Sequence, residues 1–246
     1  MTVALDSSLA LLQTGIIVAL QGDPAAAMAA AAVTTAVSDV AKQFLSPREG
    51  ERLQTVVSLA IQQIAARRAE GTEPRTDLDP SQLTELLDGT LHAAKDSYEA
   101  KKLPLLANLL AAAPFTGTPL VNLVGSLYLA ESLTYRQLCI LAVLKPYEPW
   151  PGPELTTDNI ETLMGDEPLT ESKEGILQDL LHLMSVGLVR GPTNLMTITA
   201  TGDVSPATLQ LTYQARLLHN GMRLQTVPTE DLTEILAVLG AVPAGE

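Results

Sequence analysis

The sequence is poor in the residues that carry most enzyme chemistry. Aromatic residues make up 3% of the 246 positions, there are three histidines, and Cys139 is the single cysteine. One cysteine excludes an internal disulfide and is typical of a reducing compartment, so we expect a cytoplasmic protein in which Cys139 is buried and unreactive. The sequence also has no glycine-rich phosphate loop, nucleophile elbow or His-Glu-x-x-His zinc motif. We therefore predict no enzymatic activity, no cofactor and no bound metal.

Apolar runs long enough to cross a membrane are also missing. The longest, residues 9–20 and 25–37, fall short of the roughly 20 residues that a spanning helix needs, and a Gly-Asp-Pro turn separates them. No Lys or Arg precedes Lys42, so the basic region of a secretory signal is not expected. We interpret both runs as buried core helices. The alternative is a membrane-acting effector that uses residues 9–37.

Positive charge is scarce as well. The formal net charge is −13, from 28 acidic and 15 basic residues. A surface of that sign repels phosphate backbones and anionic lipids, so nucleic acid and membranes are unfavourable partners. What the chain has in abundance is aliphatic sequence, because 46% of its residues are hydrophobic while few are aromatic. Alanine and leucine dominate, and both favour helices.

Helix starts are the clearest local signals. Five times, an Asp, Ser or Thr that can cap a helix is followed at once by proline, a residue suited to the first helical position. Ser46 with Glu49, and Asp79 with Gln82, add the side chain of a capping box. The pattern predicts ten helices, at 7–21, 24–45, 47–70, 80–113, 119–131, 134–145, 158–165, 172–186, 206–221 and 229–240.

The C-terminal half adds the only strand signal. Residues 187–199 predict a β-hairpin around a Gly-Pro-Thr-Asn turn, after three predicted helices. This is the order of a winged helix. We therefore predict a mainly α protein, with an N-terminal helical bundle over residues 1–131 and a winged-helix-like domain with one short β-hairpin over residues 132–246. A DNA-binding regulator is a second alternative function, but the predicted recognition helix at 172–186 is poor in basic residues.

The three histidines are candidates for a metal site or for acid–base chemistry. Asp88, His92 and Asp96 share one face of a helix, which suits either a solvated surface or a divalent metal; we favour the solvated surface because no second ligand pair is visible. His182 lies in an apolar helix and is predicted to be buried or half-buried. His219 is predicted near the end of its helix, where an imidazole can meet free carbonyls.

A charged band over residues 97–102 precedes the apolar run 103–114. We interpret the band as solvated helical turns before a kink or break near Lys102–Leu103. The apolar runs 9–37 and 103–114 must be buried by something, which favours a homo-oligomer. The acidic C-terminal half favours a basic protein as a further partner. The candidate partner-binding residues are Tyr98, Lys101, Lys102, Tyr135 and Arg136.

Two segments carry a family resemblance. The stretch LLDGTLHAAKDSYEAKKLPLLANLLA, followed by AESLTYRQLCILAVL, resembles a set of uncharacterised bacterial helical proteins. The C-terminal order, ending in LMSVGLV and a hairpin, resembles the abortive-infection alpha family. The resemblance covers roughly residues 45–200 and implies no reaction. By association, it implies a role in phage defence or stress.

Overall fold

A computed structural model describes residues 46–75, 77–144, 154–155, 171–191, 209–239 and 241–242 of the chain. The helices predicted at 7–21, 24–45 and 158–165 lie outside these residues. Contacts between Cα atoms divide the chain into two compact units, Met1–Ser132 and Leu133–Glu246. We call them unit 1 and unit 2 and describe each separately.

The described part of the chain is mainly α-helical, as predicted. Within these described residues, unit 1 contains four α-helices, and unit 2 contains four more together with two pairs of short antiparallel strands. In chain order these are α1 Pro47–Ala69, α2 Pro80–Asp96, α3 Leu103–Ala112, α4 Leu120–Ser132, α5 Tyr135–Val143, β1 Glu154–Leu155, α6 Glu171–Ser185, β2 Val189–Arg190, β3 Gln210–Leu211, α7 Tyr213–Met222, α8 Thr229–Val238 and β4 Ala241–Val242.

The predicted caps of α1 and α2 are confirmed. The Ser46 hydroxyl accepts a hydrogen bond from the Glu49 backbone N–H, and the Glu49 carboxylate accepts one from the Ser46 N–H, which completes the capping box. The Asp79 carboxylate accepts a hydrogen bond from the Ser81 N–H at 2.9 Å. Each cap satisfies amides that the first helical turn leaves without partners.

The helical segment predicted over 80–113 is broken in two, as the expected kink or break near Lys102–Leu103 allows. Helix α2 ends at Asp96, the backbone is extended at Ser97 and Glu99, and a 3-10 turn over Ala100–Lys102 leads into α3. The break spans residues 97–102 and ends at the predicted position, and Pro104 lies in the first turn of a new helix, where its missing N–H costs nothing.

The core of unit 1 forms around α3. Helix α1 packs against α2 and α3, and α4 packs against α2. Every residue of α3 except Pro104 is buried. The apolar run that begins at Leu103 is thus covered inside unit 1, so it does not need a second molecule for its burial.

In unit 2, the first arm of the predicted hairpin is strand β2. Strand β2 pairs with β3, in the register Val189 opposite Leu211. The predicted second arm, residues 195–198, lies outside the described residues. The helix predicted at 206–221 begins later than predicted, because residues 210–211 form a strand. Helix α7 begins at Tyr213 and is capped by the Thr212 side chain. Strand β1 pairs with β4, also antiparallel.

Candidate functional site

Tyr98 and Lys101 are surface residues of unit 1. The Tyr98 side chain is 94% exposed, and the Arg52 guanidinium lies 5.8 Å from the centre of its ring. Arg52 is itself held in place, since its Nη1 donates a 3.0 Å hydrogen bond to the Lys95 carbonyl. The cation–π contact therefore joins a fixed cation to an exposed ring. Such a Tyr–Arg pair has the composition of many protein-binding surfaces.

Lys102, the third candidate of unit 1, is buried rather than solvated. It is 6% exposed, and its Nζ donates a 3.3 Å hydrogen bond to the Glu131 carbonyl near the end of α4. Burial lowers the pKa of Lys102, and the nearby negative charges of Glu99 and Glu131 oppose that shift. The side chain ties the 3-10 turn to α4 and has little surface to offer a partner.

In unit 2, Tyr135 is half-buried and joins two helices. Its hydroxyl donates a 2.8 Å hydrogen bond to Asp231 Oδ2, which links the first turn of α5 to α8. Burial is the main reason that the pKa of Tyr135 is raised, and the bond to Asp231 adds to the effect because it stabilises the protonated phenol.

Arg136 and Gln137 join α5 to α6 through one carboxylate. Arg136 Nε donates to Asp179 Oδ2, and Gln137 Nε2 donates to Asp179 Oδ1 at 2.9 Å. The Arg136 guanidinium also covers Gly175, where an added Cβ would lie 3.1 Å from Nη1. The Asp179 side chain is only 13% exposed, whereas that of Arg136 is 49% exposed.

Gln137 also completes the cap of α5. Its Oε1 accepts a 3.0 Å hydrogen bond from the Thr134 N–H, and the Thr134 hydroxyl accepts one from the Gln137 N–H. One buried amide thus serves a capping box and the Asp179 contact at once. The sequence carried the signal for this residue, since Thr134-x-x-Gln137 is a capping-box pattern. We call Tyr135, Arg136, Gln137, Asp179 and Asp231 the α5 clasp.

The five predicted partner-binding residues therefore have different environments. In unit 1, Tyr98 and Lys101 are exposed and Lys102 is buried. In unit 2, the neighbours Tyr135 and Arg136 are engaged by carboxylates of two different helices. Exposed apolar side chains on α4 were missed, because a mainly aliphatic helix does not reveal from its sequence which face its neighbours leave uncovered.

The possible metal site at Asp88, His92 and Asp96 lies on the surface of α2. His92 Nε2 lies 3.4 Å from Asp96 Oδ2 on an exposed face of α2, and Asp88 is exposed there too. Within the ranges that the structure describes, no three His, Cys, Asp or Glu side chains are grouped to hold a metal. The prediction for His182 is wrong, because it lies on the exposed side of α6. His219 lies in the last turn of α7, as predicted, and Cys139 is buried, as predicted.

Comparisons with protein-family models, with curated proteins and with solved structures find no match to this chain. The resemblance to the abortive-infection alpha family therefore stays a prediction. None of the helices in the described ranges combines the length and the apolar character needed to cross a membrane. Residues 9–37, on which the membrane hypothesis rests, lie outside those ranges.

Proposed function

We propose that this chain is a non-enzymatic cytoplasmic protein that assembles with itself and docks a second, basic protein. The observation that carries the proposal is the set of large apolar side chains left on the surface. Tyr98, Val121, Tyr128 and Tyr213 are each at least 60% exposed in a chain with few aromatic residues. Exposed aromatic side chains of this kind are enriched where proteins bind each other.

The charge of the chain supports the same proposal. A net charge of −13 disfavours nucleic acid and anionic membranes and favours basic protein surfaces. Phage defence or stress is the context that the family resemblance implies for this role.

For unit 2 we propose a winged-helix-like domain that docks proteins rather than DNA. Its support is the order of elements, in which α5 and α6 precede the antiparallel pair β2–β3. The exposed residues of α6 include Glu171, Glu174 and Gln178, a poor surface for phosphate contacts.

Static light scattering on the full chain tests self-assembly. At micromolar concentration we expect a mass that is a multiple of 26.1 kDa and that falls on dilution. A mass of 26.1 kDa that does not change with concentration would contradict the proposal.

A further inference from the structure

Two glycines of unit 1 lie in helices that pack on each other, and their surroundings differ. An added Cβ at Gly89 of α2 would lie 2.6 Å from Leu127 Cδ2, so a larger residue there would displace the Leu127 side chain of α4. An added Cβ at Gly125 of α4 would have nothing within 4 Å. Packing among the described residues therefore explains Gly89 and does not explain Gly125.

Gly125 also has an unfavourable backbone position. It lies in the middle of α4, where glycine is among the least favourable residues because it loses the most conformational freedom. Glycine in such a place is useful where another backbone comes close, since no side chain keeps the two apart. Because none of the described residues fills the space over Gly125, a close approach there would come from outside the described part of unit 1.

The neighbours of Gly125 on the helix surface are apolar. Val121 and Tyr128 lie four residues before it and three residues after it, so all three share one face of α4. Val121 is 64% exposed and Tyr128 is 63% exposed. We call these three residues the α4 face.

The α4 face is also free of charge. From Leu120 to Ala130 the helix carries no Asp, Glu, Lys or Arg, whereas the exposed positions of α1 and α2 include Glu51, Glu85 and Asp88. A partner with the same net charge of −13 meets the least repulsion at an uncharged surface. A second copy of this chain is such a partner, and a neutral apolar face is complementary to itself.

We infer that the α4 face is the surface through which two copies of this chain associate, α4 against α4 about a two-fold axis near Gly125. In an antiparallel crossing of this kind, Tyr128 of one copy covers Val121 of the second, and the reverse contact follows from symmetry. Two glycines at the crossing let the helix axes come close. This inference rests on the proposed self-assembly and names its surface.

Two full-length variants test the surface by loss of association. Tyr128→Glu places like charges across the two-fold axis, and Gly125→Gln fills the space over the glycine. We expect each to weaken the dimer at least about tenfold, measured by sedimentation equilibrium. The matched control is Gln54→Glu, which adds the same charge at an exposed position of α1, and should associate as the unmodified chain does.

A cysteine variant tests the surface by gain of a cross-link and does not depend on the other two variants folding. Because Cys139 is buried, Gly125→Cys adds one accessible thiol per chain. Mild oxidation should link two copies through position 125, whereas Gln54→Cys should give no such dimer.

The outcomes separate the two proposals. If the unmodified chain is monomeric at every concentration, both self-assembly and the α4 face are refuted. If it associates while Tyr128→Glu and Gly125→Gln associate equally well and Gly125→Cys forms no dimer, self-assembly stands and the α4 face is refuted. A Gly125→Cys thiol shielded from maleimide in a monomer would show that another segment of the same chain covers the face, which also refutes the inference.

Discussion

His219 shows how burial changes the chemistry of one residue. The position near the end of α7 was predicted from sequence, but its burial was not, because an imidazole is common both on surfaces and in cores. The side chain is 2% exposed. Burial lowers the pKa of His219 since it disfavours the charged imidazolium, and the contact with Asn220 partly opposes this shift.

The lowered pKa predicts that acid destabilises the fold through His219. The unfolded chain takes up a proton as the pH falls through about 6.5, while the folded chain resists it, so stability is full above that pH and declines below it. We expect the free energy of unfolding, measured in urea, to fall between pH 7 and pH 5. The fall should be smaller in His219→Gln.

The matched control is His182→Gln, which removes the same ring from an exposed position of α6. This variant should keep the fall seen in the unmodified chain. An unchanged fall in His219→Gln would show that other groups cause the acid sensitivity.

Lys102 marks the limit of prediction at the scale of the residue. Most of the residues just before it are charged or polar, which predicted a solvated position, and Lys101 does lie on the surface. Lys102 is buried because the 3-10 turn directs it toward the end of α4. Such a turn follows from the tertiary position of α3, which no local pattern encodes.

At the scale of elements, short sequence patterns predicted the helix caps, whereas they did not identify the pairing of distant strands. The cap of α1 lies within four residues of sequence, so its pattern could be read directly. Strand β2 pairs with β3, which lies 20 or more residues further along the chain, whereas the prediction paired it with residues 195–198, which lie outside the described residues. Strand pairing is set by packing against the rest of a domain, which a short window does not contain.

The α5 clasp predicts a specific loss of stability. Asp179→Ala removes the acceptor that Arg136 and Gln137 share and leaves the buried Gln137 amide with one partner fewer. We expect the free energy of unfolding to fall by about 1–3 kcal/mol, the range for bonds to a charged group and for an unsatisfied buried one. Urea denaturation followed by circular dichroism measures this.

Glu174→Ala is the matched control for the clasp, because it removes an exposed acid from the same helix. Its effect should stay within about 0.5 kcal/mol, as for most surface substitutions. Equal losses in the two variants would contradict the role assigned to Asp179.

At the scale of the whole molecule, composition predicted the mainly α class, because Ala- and Leu-rich sequence with regular caps leaves few other structures. The burial of α3 was predicted, but what covers it could not be, since an apolar helix is covered equally well by its own chain or by a second one. That choice depends on the packing of α1 and α2, which only the tertiary structure defines.

Net charge makes a prediction at this scale. Two copies that meet through a neutral face gain no ion pairs, but their total charges of −13 repel each other at a distance. Because salt screens that repulsion over a Debye length of about 10 Å at 0.1 M, raising the salt concentration should strengthen self-association. Sedimentation equilibrium at about 0.05 M and 0.5 M NaCl measures the change in association. Weaker association in high salt would indicate ion pairs at the interface instead.

The α5 clasp also has a consequence for the order in which the chain is made. Asp179 follows Gln137 by 42 residues, and Asp231 follows Tyr135 by 96. At a synthesis rate of about 5–20 residues per second, Tyr135 precedes its carboxylate partner by roughly 5–20 s. On a growing chain, therefore, the link from α5 to α6 becomes available first, and the link to α8 can close only after Asp231 has been synthesised.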